Sequence, residues 1–212
     1  MNGDPLSHGL WEKTAPEAPP APKLAFDFDC DVAIVGAGFT GLSAALHAAE
    51  GGATVAVLDG AEIGFGGSGR NVGLVNAGMW VTPDELPKTL GDTYGQRLLA
   101  LLGDAPRVVF ELVDRHKIAC EIEPVGTLHC AVGRRGLAEL EERERQWRAR
   151  GAPLRLLDRA EAAAKIGTNA YAGALLDERA GTIQPLAYAR GLARAAIAAG
   201  ARVFSSSPAL GC

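Results

Sequence analysis

Apolar positions change their period several times along this chain, and each change predicts an element. Val32-Ala33-Ile34-Val35 is a short unbroken apolar run, the pattern of a strand buried on both faces. Leu42 to Glu50 is alanine-rich and helix-favouring, and Gly51-Gly52 stops it. Thr54 to Leu58 is a second apolar run, ending at Asp59. Pro83 opens a long helical stretch to His116, with breaks expected near Gly91 and Gly103. Ile118 to Val132 alternates and predicts two short strands around Pro124-Val125-Gly126. Residues 136–150 read as a charged helix with Leu137, Leu140 and Trp147 as its apolar stripe. Asp158 is placed to cap a short helix, Ala172 to Leu176 is a strand candidate, and Pro185 to Ala199 is a helix with proline in its first turn. Ala201 to Phe204 is a last strand. No internal repeat is found.

Two segments lack a period. Residues 1–29 form a tail in which five prolines lie between Pro5 and Pro22, interleaved with alanine. Its Trp11 has two readings, an exposed ring or an anchor that tucks the tail onto the domain. Residues 60–82 are irregular and glycine-rich.

Composition narrows the class. The 212 residues are 48% hydrophobic, enough for a sizeable core. With 22% charged residues and a net charge of −4, no excess of positive charge draws the chain to nucleic acid or anionic lipid. Cys30, Cys120, Cys130 and Cys212 are far apart and form no C-x-x-C pair, which argues against a zinc knuckle or disulfide scaffold and fits a reducing compartment. No apolar run is long enough for a membrane span, and the N-terminus lacks a signal-peptide core. A cytoplasmic protein with 27 glycines and 6% aromatic residues is expected to be α/β.

The chemistry concentrates after the first strand. Gly36-Ala37-Gly38-Phe39-Thr40-Gly41 has the G-x-G-x-x-G spacing inside a strand–helix–strand unit, with Asp59 23 residues on from Gly36. Gly36 allows the tight turn, Gly38 lets a pyrophosphate approach the backbone, and Gly41 lets the helix pack on the strand. The phosphates would meet the amides and positive dipole end of that helix. Asp59 can accept from ribose hydroxyls and would repel a 2′-phosphate, which leaves NAD and FAD open. The segment Gly64-Phe65-Gly66-Gly67-Ser68-Gly69-Arg70-Asn71-Val72-Gly73 follows the second strand, and its small residues would let the backbone press against a flat ligand.

Residues 31–71, with the phosphate-binding turn followed by I-G-x-G-x-S-G-R-N, resemble the start of FAD-dependent oxidoreductases of the D-amino acid oxidase type. The similarity is greatest to the gamma-glutamylputrescine oxidoreductase-like branch, which Trp11 and the proline-rich lead-in also resemble. Residues 180–203 resemble that family's return to the FAD sheet. The resemblance implies an α/β fold in which a Rossmann-like FAD-binding βαβ domain carries part of an inserted α+β substrate domain. Residues 1–29 would be the tail, 30–82 the βαβ unit and flavin-side loop, 83–178 the helical and substrate region, and 179–212 the return helix and strand. Gly36, Ala37, Gly38, Phe39, Thr40 and Gly41 would hold the pyrophosphate of FAD. Asp59 would bind the ribose where the family more often has Glu. Gly67, Ser68, Gly69, Arg70, Asn71 and Gly73 would line the flavin side. Some relatives attach FAD through a histidine near the position of Asn71, and an amide is no such nucleophile, so non-covalent FAD is expected. The strand near Val203 would lie beside the second strand.

The implied reaction oxidises a C–N bond of a small amine or amino acid. Hydride passes to flavin N5, the imine hydrolyses, and dioxygen reoxidises the flavin to give hydrogen peroxide. No catalytic residue is assigned. The family fold also needs a second crossing through the substrate sheet and a final return, so the chain reads as a truncated N-terminal half. A NAD-binding dehydrogenase and a non-catalytic remnant remain as alternatives, although no Tyr-x-x-x-Lys supports the short-chain dehydrogenase reading.

Elsewhere the residues read as structural. His8, His47, His116 and His129 have no metal spacing, and no metal is expected. His129 and Cys130 would point to opposite faces of a strand. Cys120 and Cys130 read as small buried hydrophobes. The run Glu139 to Arg150, with spacings such as Glu141–Arg145 and Glu144–Arg148, reads as a solvated helix face. Met79-Trp80 would face either substrate or core.

Overall fold

A computed structural model describes residues 9–211, so Pro5, His8 and Cys212 lie outside the described residues. In chain order the elements are α1 (Leu10–Thr14), β1 (Val32–Val35), α2 (Phe39–Glu50), β2 (Val55–Leu58), a 3₁₀ turn (Gly67–Gly69), β3 (Leu74–Val75), α3 (Glu85–Leu90), α4 (Asp92–Arg115), β4 (Thr127–Ala131), α5 (Gly133–Arg148), β5 (Leu154–Leu157), α6 (Arg159–Ile166), β6 (Gly173–Asp177), β7 (Gly181–Thr182), α7 (Pro185–Ala198) and β8 (Arg202–Phe204). The fold is mixed α/β. It divides into two compact units, one of residues 1–73, 112–121 and 183–212, the other of 74–111 and 122–182.

The first unit is built on a parallel sheet in the order β1-β2-β8. Val57 pairs with Ile34 on one side and Val203 on the other, so the expected neighbour relation of the last strand holds. Helices α2 and α7 pack together, and the core they share with β2 contains Leu42, Leu46, Val55, Val57, Leu186 and Leu192, all essentially inaccessible. β2 is the doubly buried strand that its apolar run predicts. β1 is not. It is an edge strand whose burial alternates, with Val35 72% exposed. Among the described residues β1 pairs only with β2 and has α2 on one face, so half its apolar side chains meet solvent.

The proline-rich tail is ordered on this unit. Phe26 and Phe28 pack edge-on to Phe204, with Arg202 stacked over the Phe28 ring. Leu24 N–H donates to Ser207 Oγ at 2.9 Å.

The second unit holds an antiparallel sheet, β4-β6-β5, and a two-stranded antiparallel ladder of β3 with β7. On one face of the larger sheet Leu154 and Leu175 pack with Leu140 and Trp147 of α5 and with Leu86 and Leu99. On the other, Leu157, Ala174 and Leu176 pack with Ala162 of α6. Asp158 caps α6 in a reciprocal capping box with Glu161, as its position predicts.

The structure departs from the residue pattern at several elements. Residues 118–132 contain one strand, β4, plus an isolated bridge from Glu123 to Thr182, because the alternating residues before Pro124 meet no regular ladder. The break at Gly91 is real, but α4 runs straight through Gly103 and Pro106. A proline there cannot donate to the Leu102 carbonyl, and the Gly78 N–H takes that acceptor at 3.0 Å instead. β5 was not apparent in the residue pattern. Arg145 pairs with Glu142 rather than Glu141, whereas Arg148 does pair with Glu144.

Candidate functional site

The glycine turn between β1 and α2 has the geometry its spacing requires. Gly36 adopts φ +104°, a conformation L side chains avoid, and its N–H continues the ladder to the Leu58 carbonyl at 2.8 Å. A Cβ on Gly41 would overlap the Gly36 carbonyl oxygen, so only glycine lets α2 start this close to β1. Gly38 is the N-cap of α2 and brings no side-chain cap of its own.

The fold brings the second glycine-rich segment onto that same helix end. Ser68 Oγ accepts the Phe39 N–H at 3.0 Å, and a Cβ on Gly38 would lie 2.8 Å from that oxygen. One hydroxyl therefore sits where the amides and the positive end of α2 face outward. Thr40 is exposed on the first turn, and Phe39 packs its ring 5.2 Å from Tyr188. Burial, and then the neighbouring Cys120, push the Tyr188 phenol up to about 12.

Asp59 lies at the end of β2. Its Oδ2 accepts the Ala37 N–H at 2.6 Å and its Oδ1 the Ala61 N–H at 2.8 Å. The carboxylate thus grips the phosphate-type turn itself. Each oxygen has a further lone pair, so capacity for a hydroxyl donor remains.

Asn71 is spent within its own loop. Its Nδ2 donates to the carbonyls of Gly67 and Ser68, at 3.0 and 3.1 Å, and its Oδ1 accepts the Gly73 N–H at 2.7 Å. Arg70 lies 4.3 Å over the Phe65 ring. Gly67 and Gly69 bound the 3₁₀ turn that carries Ser68, and Gly69 and Gly73 are buried. All the residues expected at the site therefore lie on one contiguous stretch of the first unit.

The profile of the family described as FAD dependent oxidoreductase (DAO) matches residues 31–212. The chain belongs to this family. Gamma-glutamylputrescine oxidoreductase of Escherichia coli is 38% identical over 179 residues, 84% of this chain and 42% of that protein. A probable oxidoreductase, OrdL, of Rhizobium meliloti is 36% identical over 212 residues, covering 97% and 49%. Glycine oxidase of Geobacillus kaustophilus superposes with a TM-score of 0.67 at 26% identity, covering 84% of this chain and 46% of that one. L-amino acid deaminase of Proteus myxofaciens shares the fold, with a TM-score of 0.73 at 18% identity, covering 91% and 41%. The chain spans less than half the length of each of these relatives.

The DAO family uses FAD, which decides the cofactor that the turn alone left open. The residues here fit that group: glycine backbone, an outward-facing helix end, a hydroxyl beside it and a carboxylate at the end of the second strand.

In the second unit a cavity of about 590 Å³ is lined by Met79, Trp80, His129, Arg143, Trp147 and Leu175, among others. Trp80 is 85% exposed and stacks edge-on to His129, so it is no core residue. Arg143 donates to the backbone carbonyls of Met79, Trp80 and Val81, and thereby holds their loop. Burial, and then the Arg143 charge, lower the His129 pKa. Cys130 faces the opposite side of β4 from His129, as the strand period requires, and is half-buried. Among the described residues no cluster could hold a metal, and no helix is long and apolar enough to cross a membrane.

Reading the sequence missed Gln184. It is 2% exposed, and its Oε1 caps α7 by accepting the Ala187 N–H at 2.7 Å. The signal was present, because a polar residue directly before Pro185 occupies the N-cap position of a helix with proline at its first residue.

Proposed function

We propose that this chain supplies the dinucleotide cradle of an FAD-dependent oxidoreductase that acts on the C–N bond of an amine or amino acid. The observation that carries this reading is the meeting of the Gly36–Gly41 turn and the Ser68 hydroxyl at the N-terminal end of α2. Gly36, Ala37, Gly38, Phe39, Thr40 and Gly41 would cradle the pyrophosphate. The Ser68 hydroxyl can donate to a phosphate oxygen while it goes on accepting from Phe39. Asp59 would hold the turn with two acceptor sites and meet the adenosine ribose with the others. Gly67, Gly69, Arg70, Asn71 and Gly73 would lie along the flavin side.

FAD, when bound, takes up the electrons and hydrogen lost from the carbon beside nitrogen, with dioxygen as the final acceptor. The chain's residues bind and orient it. The Asn71 amide is committed to its own loop and is no nucleophile, which supports non-covalent attachment. The printed names of the relatives, gamma-glutamylputrescine oxidoreductase and glycine oxidase among them, support an amine or amino acid as the substrate class.

The test is the visible absorption spectrum of the purified 212-residue chain after incubation with FAD and desalting. A retained flavin band is expected, released on denaturation. A colourless but folded chain sinks the reading for these residues.

A further inference from the structure

Most of the tail's contacts lie on α7 and β8, and one reaches the 67–73 loop. Trp11 Nε1–H donates to the Asn71 carbonyl at 2.9 Å, across 60 residues of sequence. The Trp11 carbonyl in turn accepts from Gln184 Nε2 at 2.9 Å, and the same nitrogen lies 3.1 Å from Thr14 Oγ1. Gln184 caps α7 with its other amide atom. Farther along, Arg190 donates to the Pro16 carbonyl and Arg194 to that of Glu17. Trp11 is therefore a bridge, fixed at its backbone by the buried cap of α7 and holding, through its indole, the residue that closes the 67–73 loop from within.

We infer that Trp11 is a positioning residue for the Asn71–Gly73 backbone on the flavin side of the cofactor site. This rests on the FAD reading above. The loop is glycine-rich, so holding its backbone in one conformation costs more entropy than an ordinary loop does. Inside the loop, Asn71 ties Gly67, Ser68 and Gly73 together, but those bonds move with Asn71 itself. From outside the loop the indole N–H holds the Asn71 carbonyl, and the Ile183 N–H holds the Gly73 carbonyl at 2.9 Å. Ser68 is held separately by Phe39, so the pyrophosphate end does not depend on Trp11.

Trp11→Phe keeps the ring and deletes the N–H. The full chain and this variant are compared in affinity for FAD, in affinity for ADP, which carries the pyrophosphate without the flavin, and in amide exchange over residues 67–73. Arg194→Ala, which frees the Glu17 carbonyl farther along the tail, serves as the control for general loosening. The expected result in Trp11→Phe is about 5- to 10-fold weaker FAD binding, the worth of one hydrogen bond. ADP binding stays within about twofold of wild type, Asn71 and Gly73 amides exchange faster, and Arg194→Ala behaves as wild type. Equal weakening of FAD and ADP, no weakening of either, or the same FAD loss in Arg194→Ala overturns the inference. If the wild-type chain binds no FAD, the FAD reading fails for this chain and amide exchange decides alone. Unchanged exchange at Asn71 and Gly73 then overturns the role of Trp11, and faster exchange confined to them supports its hold on the loop.

Discussion

Ser68 Oγ accepts the amide N–H of Phe39 at 3.0 Å, although 29 residues separate the two. Two glycine-rich segments that each look like an ordinary turn become one cradle through this bond. Replacing the hydroxyl should therefore act on cofactor binding more than on folding. Ser68→Ala is expected to weaken FAD binding about 5- to 50-fold by flavin titration, with a melting temperature close to wild type. Ser68→Tyr should leave the desalted chain colourless, and wild-type flavin content in that variant would remove the loop from the site.

Gly41 permits α2 to begin against the Gly36 carbonyl. A methyl there has no room and meets backbone, which cannot swing aside. Gly41→Ala should cost about 3 kcal/mol. That corresponds to a fall of roughly 6–12 °C in the melting temperature of a chain this size, read by circular dichroism.

The two strands of the βαβ unit should respond very unequally to the same substitution. Val35 on the edge strand is 72% exposed, and Val57 in the centre is inaccessible. Val35→Lys should change stability by less than about 0.5 kcal/mol in denaturant unfolding. Val57→Lys buries an unpaired ammonium and should cost more than about 4 kcal/mol, or prevent folding. Comparable losses in both would mean that β1 is covered in solution.

Cys120 is buried, and burial followed by the nearby Glu121 charge raises its thiol from 9.0 to about 11. The folded state thus favours the neutral thiol. Below pH 9 both states carry the proton and stability is level with respect to this group. Between about pH 9 and 11 the unfolded chain ionises first, and stability falls. Tyr188, raised to about 12, extends the fall above pH 10 by the same sign. Cys120→Ala should flatten a stability–pH profile from urea unfolding between about pH 9 and 10 and, because Cys120 also raises Tyr188, lessen the fall above pH 10. An unchanged slope in the lower range would assign the fall to other groups.

The first unit was legible because its signals are local. Gly36, Gly38 and Gly41 sit within six residues, α2 and β2 follow at once, and an unbroken apolar run needs only local hydrophobicity to announce a strand. The same rule misled at β1. A four-residue apolar run looks identical whether its sheet continues or stops beside it, and only the pairing shows that it stops. β5 and the two-residue ladder of β3 with β7 had no local signal, since each exists by virtue of a partner far along the chain. Gly103 looked like a helix break because propensity counts about 1 kcal/mol against it, a cost that the packing of Leu99 and Leu102 against the second unit's core overrides.

By itself the sequence determined the family, the turn that suits a pyrophosphate, and the acid at the end of the second strand, because these depend on backbone conformations that only particular residues adopt. Tertiary structure decided what those groups touch. It set the Asp59 carboxylate on the Ala37 and Ala61 amides, gave Asn71 to its own loop, put Ser68 on the helix end, and turned Trp11 from a stray ring in a proline-rich tail into a donor to the Asn71 carbonyl. Hydrogen bonds are directional and span a few ångströms, so they are settled by where distant segments come to rest, which no local pattern records.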